Sequence, residues 1–318
     1  MSDGYRGGML GFDNDRPFRY FQNSVDRSWN PNEISFEQDR KNLIEAYDGV
    51  SDEAATKMST VMKKLLGMFG AGEASVTEDI APFAMAFDSV EKQMFISSHM
   101  YEEAKHATLF DRYWSDVINA AEEVHGHEVT SPNDDRWFCE EYEQLFDAEH
   151  EATRRLLEKD TPENRVRAYC TYQLTAEGII AQTGYWGITK NFSDHAGTEV
   201  EIAGETVEIP HLPGLVEGIE KIRSDEGRHI GFGMNEVKNH VQNGDVEEDL
   251  VTGTIEELLP LTLEIVNYAY EGLEDPTVFP IGPGDAAEFT AEKHQERMSQ
   301  ILDDDGDIPG VEDLVALG

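Results

Sequence analysis

Glu103-Ala104-Lys105-His106 and Glu226-Gly227-Arg228-His229 decide the fold. Each is Glu-x-x-His inside a long helical pattern. On a helix, i and i+3 share a face, so each glutamate points the same way as its histidine. The face around Glu103 also carries Ile96, His99, Ala107, Phe110 and Trp114. The face around Glu226 carries Ile219, Ile222, Ile230, Gly233 and Val237. Both pairs therefore sit on apolar, inward-looking stripes. A charged glutamate on a buried stripe is costly unless it is paired or bound to metal. One Glu-x-x-His is weak evidence, because chance examples on helix surfaces are common. Two on separate apolar faces are much stronger.

Two more helical patterns carry one inward glutamate each. Glu177 sits among Cys170, Leu174, Ile180, Ala181 and Gly184. Glu73 follows Phe69 and Gly72 and precedes Val76 and Ile80. One Glu from each of two helices, plus Glu-x-x-His from each of two others, is the ligand set of ferritin-like di-iron and di-manganese bundles. Four carboxylates offset two divalent ions and leave a dry core near neutrality. Without metal the same four would repel, and some would have to protonate. Carboxylate plus imidazole suits iron and manganese. The competing reading is four buried glutamates held by hydrogen bonds or by Lys and Arg partners.

The rest of the composition narrows the function. The chain has 318 residues, 25 Lys plus Arg and 65 Asp plus Glu, a formal net charge of −40. Binding to nucleic acid, or to an anionic membrane surface, is excluded on that charge. With 39% hydrophobic and 9% aromatic residues the acidity is not a sign of disorder. It reads as a solvated surface that repels itself in dilute salt. In ~1 M salt the Debye length falls to ~3 Å and that repulsion is screened. A cytoplasmic protein of a salt-loaded, halophilic cell, such as a haloarchaeon, is therefore expected. Cys139 and Cys170 are too few for a disulfide framework and fit a reducing cytosol. Met1 to Asp13 shows no apolar signal-peptide segment, and no apolar run is long enough to span a membrane.

The expected architecture is all-α: a ferritin-like helical bundle with extra helices and one short inserted β-hairpin. Residues 1–37 read as an irregular segment packed on the bundle. Residues 38–302 form a single di-metal domain, and 303–318 an acidic C-terminal tail. Helices are expected near 38–47, 52–68, 73–86, 89–124, 134–158, 162–188, 213–243, 247–274 and 286–302. Pro82 and Pro260 fall inside helical patterns and predict kinks or breaks. Val200, Ile202, Val207 and Ile209 alternate with polar residues around Ala203-Gly204, which predicts the hairpin within an insertion at about 191–212. Asp303 to Asp307 fails the calcium-loop pattern and reads as solvated tail.

With these residues in place the sequence resembles the small subunit of ribonucleotide reductase. It is most similar to the manganese/iron ligand-binding oxidases built on that scaffold. The resemblance runs through residues 17–275. Its supporting stretches are Trp29-Asn30-Pro31, Gly72 to Thr77, Glu102 to His106 and Ser224 to His229. It implies a homodimer with one manganese and one iron ion, or two irons. Manganese would be held by Glu73, Glu103 and His106, and iron by Glu177, Glu226 and His229, with Glu103 bridging. In those oxidases a valine and a tyrosine become joined by an ether bond; the matching positions are Val76 and Tyr172. At ~100° per residue Tyr172 lies about 140° round an α-helix from Glu177, so helix geometry alone does not suggest it. Asp225 and Tyr185 are candidates to support the ligands from behind.

The activity so implied is oxidation. Two reduced metals activate dioxygen, and the oxidant removes hydrogen from the β-carbon of Val76, which the Tyr172 oxygen then captures. A long-chain fatty acid would lie at the metals in an apolar channel, with Met68, Phe69, Phe83 and Phe110 as candidate walls. One alternative is a manganese/iron ribonucleoside-diphosphate reductase small subunit. Phe110 stands where radical-storing subunits carry tyrosine, but manganese/iron reductase subunits carry phenylalanine there too; what weighs against this alternative is that no tyrosine follows Tyr270. A second alternative is a non-enzymatic ferritin-like carrier of metal or lipid. The remaining histidines, including His125 and His127, have no matching partners and read as surface residues.

Overall fold

A computed structural model of the chain describes residues 12, 15–87, 89–273, 275–276, 279–303 and 306–316. Nearly all of the Met1–Asp13 segment, and Asp304 and Asp305 of the acidic run, lie outside the described residues. The architecture is the expected ferritin-like helical bundle with one small two-stranded sheet. Among the described residues no helix is long and apolar enough to cross a membrane.

Four long segments build the centre. They are α3 (Asp52–Asp79), α5 (Val90–Tyr113), a wide-wound segment over Cys170–Ala181, and α10 (Pro213–Gln242). Two of them start where the local sequence supplies a cap. Ser51 accepts from the Ala54 amide and Ser89 from the Lys92 amide. α10 lacks a cap of its own. Asp39, fully buried on α2 (Glu37–Asp48), accepts from the Gly214 and Leu215 amides at 2.8 and 2.7 Å. This places a negative charge at the helix N-terminus, where the exposed amides favour it.

The other helices enclose these four: α4 (Ala81–Ala86), α6 (Ala120–His125), α7 (Glu140–Glu158), α8 (Pro162–Tyr169), α9 (Gln182–Thr189), α11 (Glu248–Ala269) and α12 (Pro283–Leu302). The chain breaks at Ile80, just before Pro82, so that proline falls in the first turn of α4. α11 continues through Pro260. The hairpin lies where alternation placed it, with strands Glu199–Ile202 and Glu205–Glu208. Val200 pairs with Val207, and the two-residue turn has φ of 55° at Ala203 and 75° at Gly204. Its four apolar side chains are buried against the core that holds Leu43, Met58 and Met62.

Both ends of the chain differ from expectation. The N-terminal segment is not wholly irregular: Arg16–Asp26 is a helix, α1, capped by Asp15 and packed on α5 through Tyr20 and Phe95. The end of the chain is not all solvated. Val311–Leu314 forms a short turn of helix, α13, against α10. Leu314 and Val315 are buried there, and Arg297 donates to the Leu314 carbonyl at 2.6 Å. Lys238 donates to the carbonyls of Gln300, Asp303 and Gly306. Backbone carbonyls, including that of Val315, which accepts from Arg223, the Arg27–Glu312 ion pair and a few apolar side chains anchor a segment whose acidity alone suggested detachment.

Candidate metal centre

The six predicted ligands meet in the bundle core. α3 supplies Glu73, α5 supplies Glu103 and His106, the wide-wound segment supplies Glu177, and α10 supplies Glu226 and His229. All six are at least 94% shielded from solvent. Donor atoms of Glu73, Glu103, His106 and Glu226 lie within 4.8 Å of one another. So do those of His99, Glu103, Glu177 and His229. Glu103 belongs to both groups. Glu226 spans them too, with Oε1 at 3.7 Å from His106 Nδ1 and Oε2 at 3.4 Å from His229 Nδ1.

The two motif histidines are oriented alike. His106 turns Nδ1 inward, 3.2 Å from Glu103 and 3.4 Å from Glu73, and its Nε2 meets Asp225 at 3.2 Å. His229 turns Nδ1 inward, 3.0 Å from Glu103 and 3.5 Å from Glu177, and its Nε2 meets Glu102 at 2.9 Å. An outer carboxylate behind each imidazole fixes the tautomer and leaves the inner nitrogen as a lone-pair donor. Asp225 also accepts from the Trp29 indole N–H at 2.8 Å and from Lys105 at 2.9 Å. Burial alone would raise Asp225, but the hydrogen bond and charge of His106, with Arg228 and Lys105, hold its carboxyl far below the usual range.

The donor set fits metal ions. Glu177 Oε2, Glu226 Oε2 and His229 Nδ1 are buried without a hydrogen-bond partner. Uncompensated polar atoms in a dry core are costly. Tetrahedral donors each ~2.1 Å from one ion stand ~3.4 Å apart; the inner contacts run from 3.0 to 3.7 Å. Protons stand in for cations otherwise. Burial drives Glu73 well up, and burial with the charges of Glu177 and Glu103 drives Glu226 up to about 7. Glu103 would also be raised by burial, yet His106, His229 and His99 outweigh that and hold it well below its ordinary range.

Tyr172 reaches the centre, against the α-helical expectation. Its hydroxyl lies 3.1 Å from His99 Nε2 and 3.3 Å from Glu103 Oε1. The cause is the winding of Cys170–Ala181, a π-helix. Its i to i+5 bonding brings residues five apart onto one face, and Tyr172 and Glu177 are such a pair. Tyr185 donates from the other side, 3.2 Å from Glu73 Oε1 and 3.3 Å from Glu226 Oε1. Val76 and Tyr172 belong to the same buried apolar cluster.

A cavity of about 140 Å³ opens beside the glutamates; Glu73, Glu103, Glu177, Tyr185 and Glu226 are among the residues that line it, with Val76 beside them. Of the four expected walls, Met68 and Phe69 line it. Phe110 does not; it stacks behind Phe69 at 5.3 Å. Phe83 packs instead against Tyr169 and Tyr172. Two polar residues of the centre are missed by the sequence pattern. His99, carried by the Glu103 stripe but given no role among the remaining histidines, is fully buried. Glu102, also buried, sits one residue off the Glu103 stripe and faces Arg228 and His229. Its only sequence signal is a complementary arginine on the other motif. His125 and His127 do lie at the periphery, paired with Asp48 and Asp52.

No protein-family model matches the chain. Solved structures do. A Glu-to-Asp variant of an R2-like ligand-binding oxidase, reconstituted aerobically with a Mn/Fe cofactor, is 26% identical with a TM-score of 0.75. The match covers 95% of this chain and 99% of that one. A Val-to-Leu variant with anaerobically reconstituted Mn/Fe cofactor is 26% identical at TM-score 0.74, over 95% and 99%. A Gly-to-Phe variant, also Mn/Fe-reconstituted, is 26% identical at TM-score 0.74, over 91% and 97%. The varied Gly, Glu and Val are spaced there as Gly72, Glu73 and Val76 are here, and two varied tyrosines as Tyr172 and Tyr185. In fold the chain is similar to the R2-like ligand-binding oxidases, on the scaffold of the ribonucleotide reductase small subunit, and with its buried carboxylate–histidine groups it is an oxidoreductase.

Proposed function

We propose that the chain is a dinuclear manganese/iron oxidase. Glu73, Glu103 and His106 hold manganese, Glu177, Glu226 and His229 hold iron, and Glu103 bridges. The observation that carries this reading is the sharing of Glu103 between two buried donor groups beside an apolar cavity. The metals supply the oxidising equivalents of dioxygen; the protein supplies position and dryness.

The cavity takes a long-chain fatty acid. Four glutamates alone would repel a carboxylate head, so the acid binds after the ions have neutralised them. Its tail runs past Met68, Phe69 and Ile180. Val76 and Tyr172 form an ether crosslink. One C–H bond at the Val76 β-carbon and the Tyr172 O–H are replaced by one C–O bond. Two electrons and two protons leave for dioxygen. The phenol proton has Glu103 as its nearest carboxylate acceptor. We assign the protein to a homodimer in a salt-rich cytoplasm, where screening quiets a net charge of −40.

The test is anaerobic titration with Mn(II) and Fe(II) followed by air. Two ions per chain and dioxygen uptake are expected, both lost in Glu103→Ala. Metal uptake without dioxygen consumption would favour a carrier. Nucleotide reduction on mixing with a reductase large subunit would favour the reductase small subunit.

A further inference from the structure

His99 stands among the ligands without belonging to either Glu-x-x-His motif. Its Nε2 lies 2.9 Å from Glu177 Oε1, 3.0 Å from Glu103 Oε1 and 3.1 Å from the Tyr172 hydroxyl. Its ring stacks on His229 with centroids 3.5 Å apart, and Phe95 packs beside it at 5.8 Å. The imidazole is fully buried, and its Nδ1 has no partner.

That orphaned nitrogen fixes the tautomer. A proton on Nδ1 would be a buried donor with nothing to meet, at the full desolvation cost of that group. A proton on Nε2 faces three oxygen acceptors. His106 and His229 are built the other way, each with an outer carboxylate at Nε2 and a bare Nδ1 turned inward. His99 has no such carboxylate behind it, so it is built to donate rather than to ligate.

We propose that His99 is a positioning residue of the centre. Its Nε2–H engages Glu177 Oε1, which also stands 3.5 Å from His229 Nδ1, and the Tyr172 oxygen, so that Oε2 is the one Glu177 oxygen left free for metal. This rests on the dinuclear reading above. Glu177 Oε2 is indeed the oxygen left without a partner. A glutamate confined to one oxygen keeps a coordination position open at its ion, which dioxygen chemistry requires. The same donor fixes the phenol, so the Tyr172 O–H turns to Glu103 Oε1 at 3.3 Å. One side chain thereby sets both the open position and the orientation of the tyrosine.

Nitric oxide binding to the anaerobic, iron-loaded protein reads the open position without turnover. Wild type and His99→Gln, which retains an N–H donor, are expected to bind two irons and form the same nitrosyl adduct. His99→Leu is expected to bind two irons but nitric oxide about tenfold more weakly or worse. Wild-type nitric oxide affinity in His99→Leu overturns the proposal. So does a glutamine variant that behaves like the leucine one, and so does iron loss from both variants, which would make His99 a ligand. Iron loss from the leucine variant alone overturns it as well, since a residue that only positions Glu177 and Tyr172 leaves the six ligands in place. Failure of the wild type to take up two irons overturns the dinuclear reading itself, and His99 with it.

Discussion

Arg228 and Glu102 form a guanidinium–carboxylate pair inside the bundle, both shielded from solvent. The same Nη2 also reaches Asp225. Glu102 stands behind His229 and Asp225 behind His106, so one guanidinium steadies the supports of both histidines. Arg228→Met would strand two buried carboxylates. A loss of about 3–5 kcal/mol in unfolding free energy is expected, with metal affinity falling ~10–100-fold. Denaturant unfolding and metal titration of the variant check this. Wild-type values in both would show that the histidines are held some other way.

Metal uptake should release protons and strengthen as pH rises. Burial, with the charges of Glu177 and Glu103, pushes Glu226 up to about 7. His106 and His229 are raised despite burial, by Glu73 and Glu103 in one case and chiefly by Glu177 in the other. Each must lose its proton before it can ligate. Below pH 7 Glu226 keeps its proton and competes with metal; above it the histidines continue to do so. Titration in weak buffer with a pH indicator, repeated from about pH 6 to about pH 8, should show proton release and rising affinity. Flat affinity would contradict the assignment of these groups as ligands.

The cavity can be closed from one wall. A Cβ at Gly184 would lie 2.4 Å from the Phe69 ring. Phe69 is confined between Phe110 and Tyr185, at 5.3 and 5.0 Å, so it cannot yield cheaply. Gly184→Leu should abolish recovery of bound long-chain acid on extraction, where the wild type yields it. An overpacking cost of ~1–3 kcal/mol is expected with it. Equal recovery from both proteins would place the ligand elsewhere.

Glu149 is a buried acid with neither oxygen partnered. Burial raises it well above its ordinary value, and Asp79, Glu177 and Glu103 add to the rise. The native chain therefore keeps a proton that the unfolded chain releases, so this glutamate costs stability increasingly as pH rises above the usual carboxylate range. Glu149→Gln keeps the shape and removes the ionisation. Its unfolding midpoint should match or exceed wild type at neutral pH, with a margin that grows with pH. A midpoint below wild type at every pH would contradict this.

The metal centre is legible in the sequence because two Glu-x-x-His pairs on apolar stripes place four charged groups where only ions or partners can compensate them. The hairpin is legible because alternation around Ala203-Gly204 leaves one register. His99 shows in the sequence only as one member of the Glu103 stripe; its partners Glu177 and Tyr172 lie on another segment, so nothing in the sequence gives it a role. Tyr172 is placed by resemblance alone: a period of 3.6 is the wrong ruler for a π-wound segment. Glu102 is hidden by its neighbour, whose stripe it does not share. The helix Arg16–Asp26 is masked by its aromatic and polar mix, and the docked C-terminal turn by the acids around it.

Peptide mass analysis tests the oxidase chemistry most directly. Metal-free protein is loaded with manganese and iron, exposed to air, and digested beside an anaerobic control. The peptides containing Val76 and Tyr172 are expected to appear joined, lighter by two hydrogens than their sum, and Tyr172→Phe is expected to abolish the product while retaining both metals. Separate, unmodified peptides from a fully loaded, aerated sample would contradict the crosslinking oxidase.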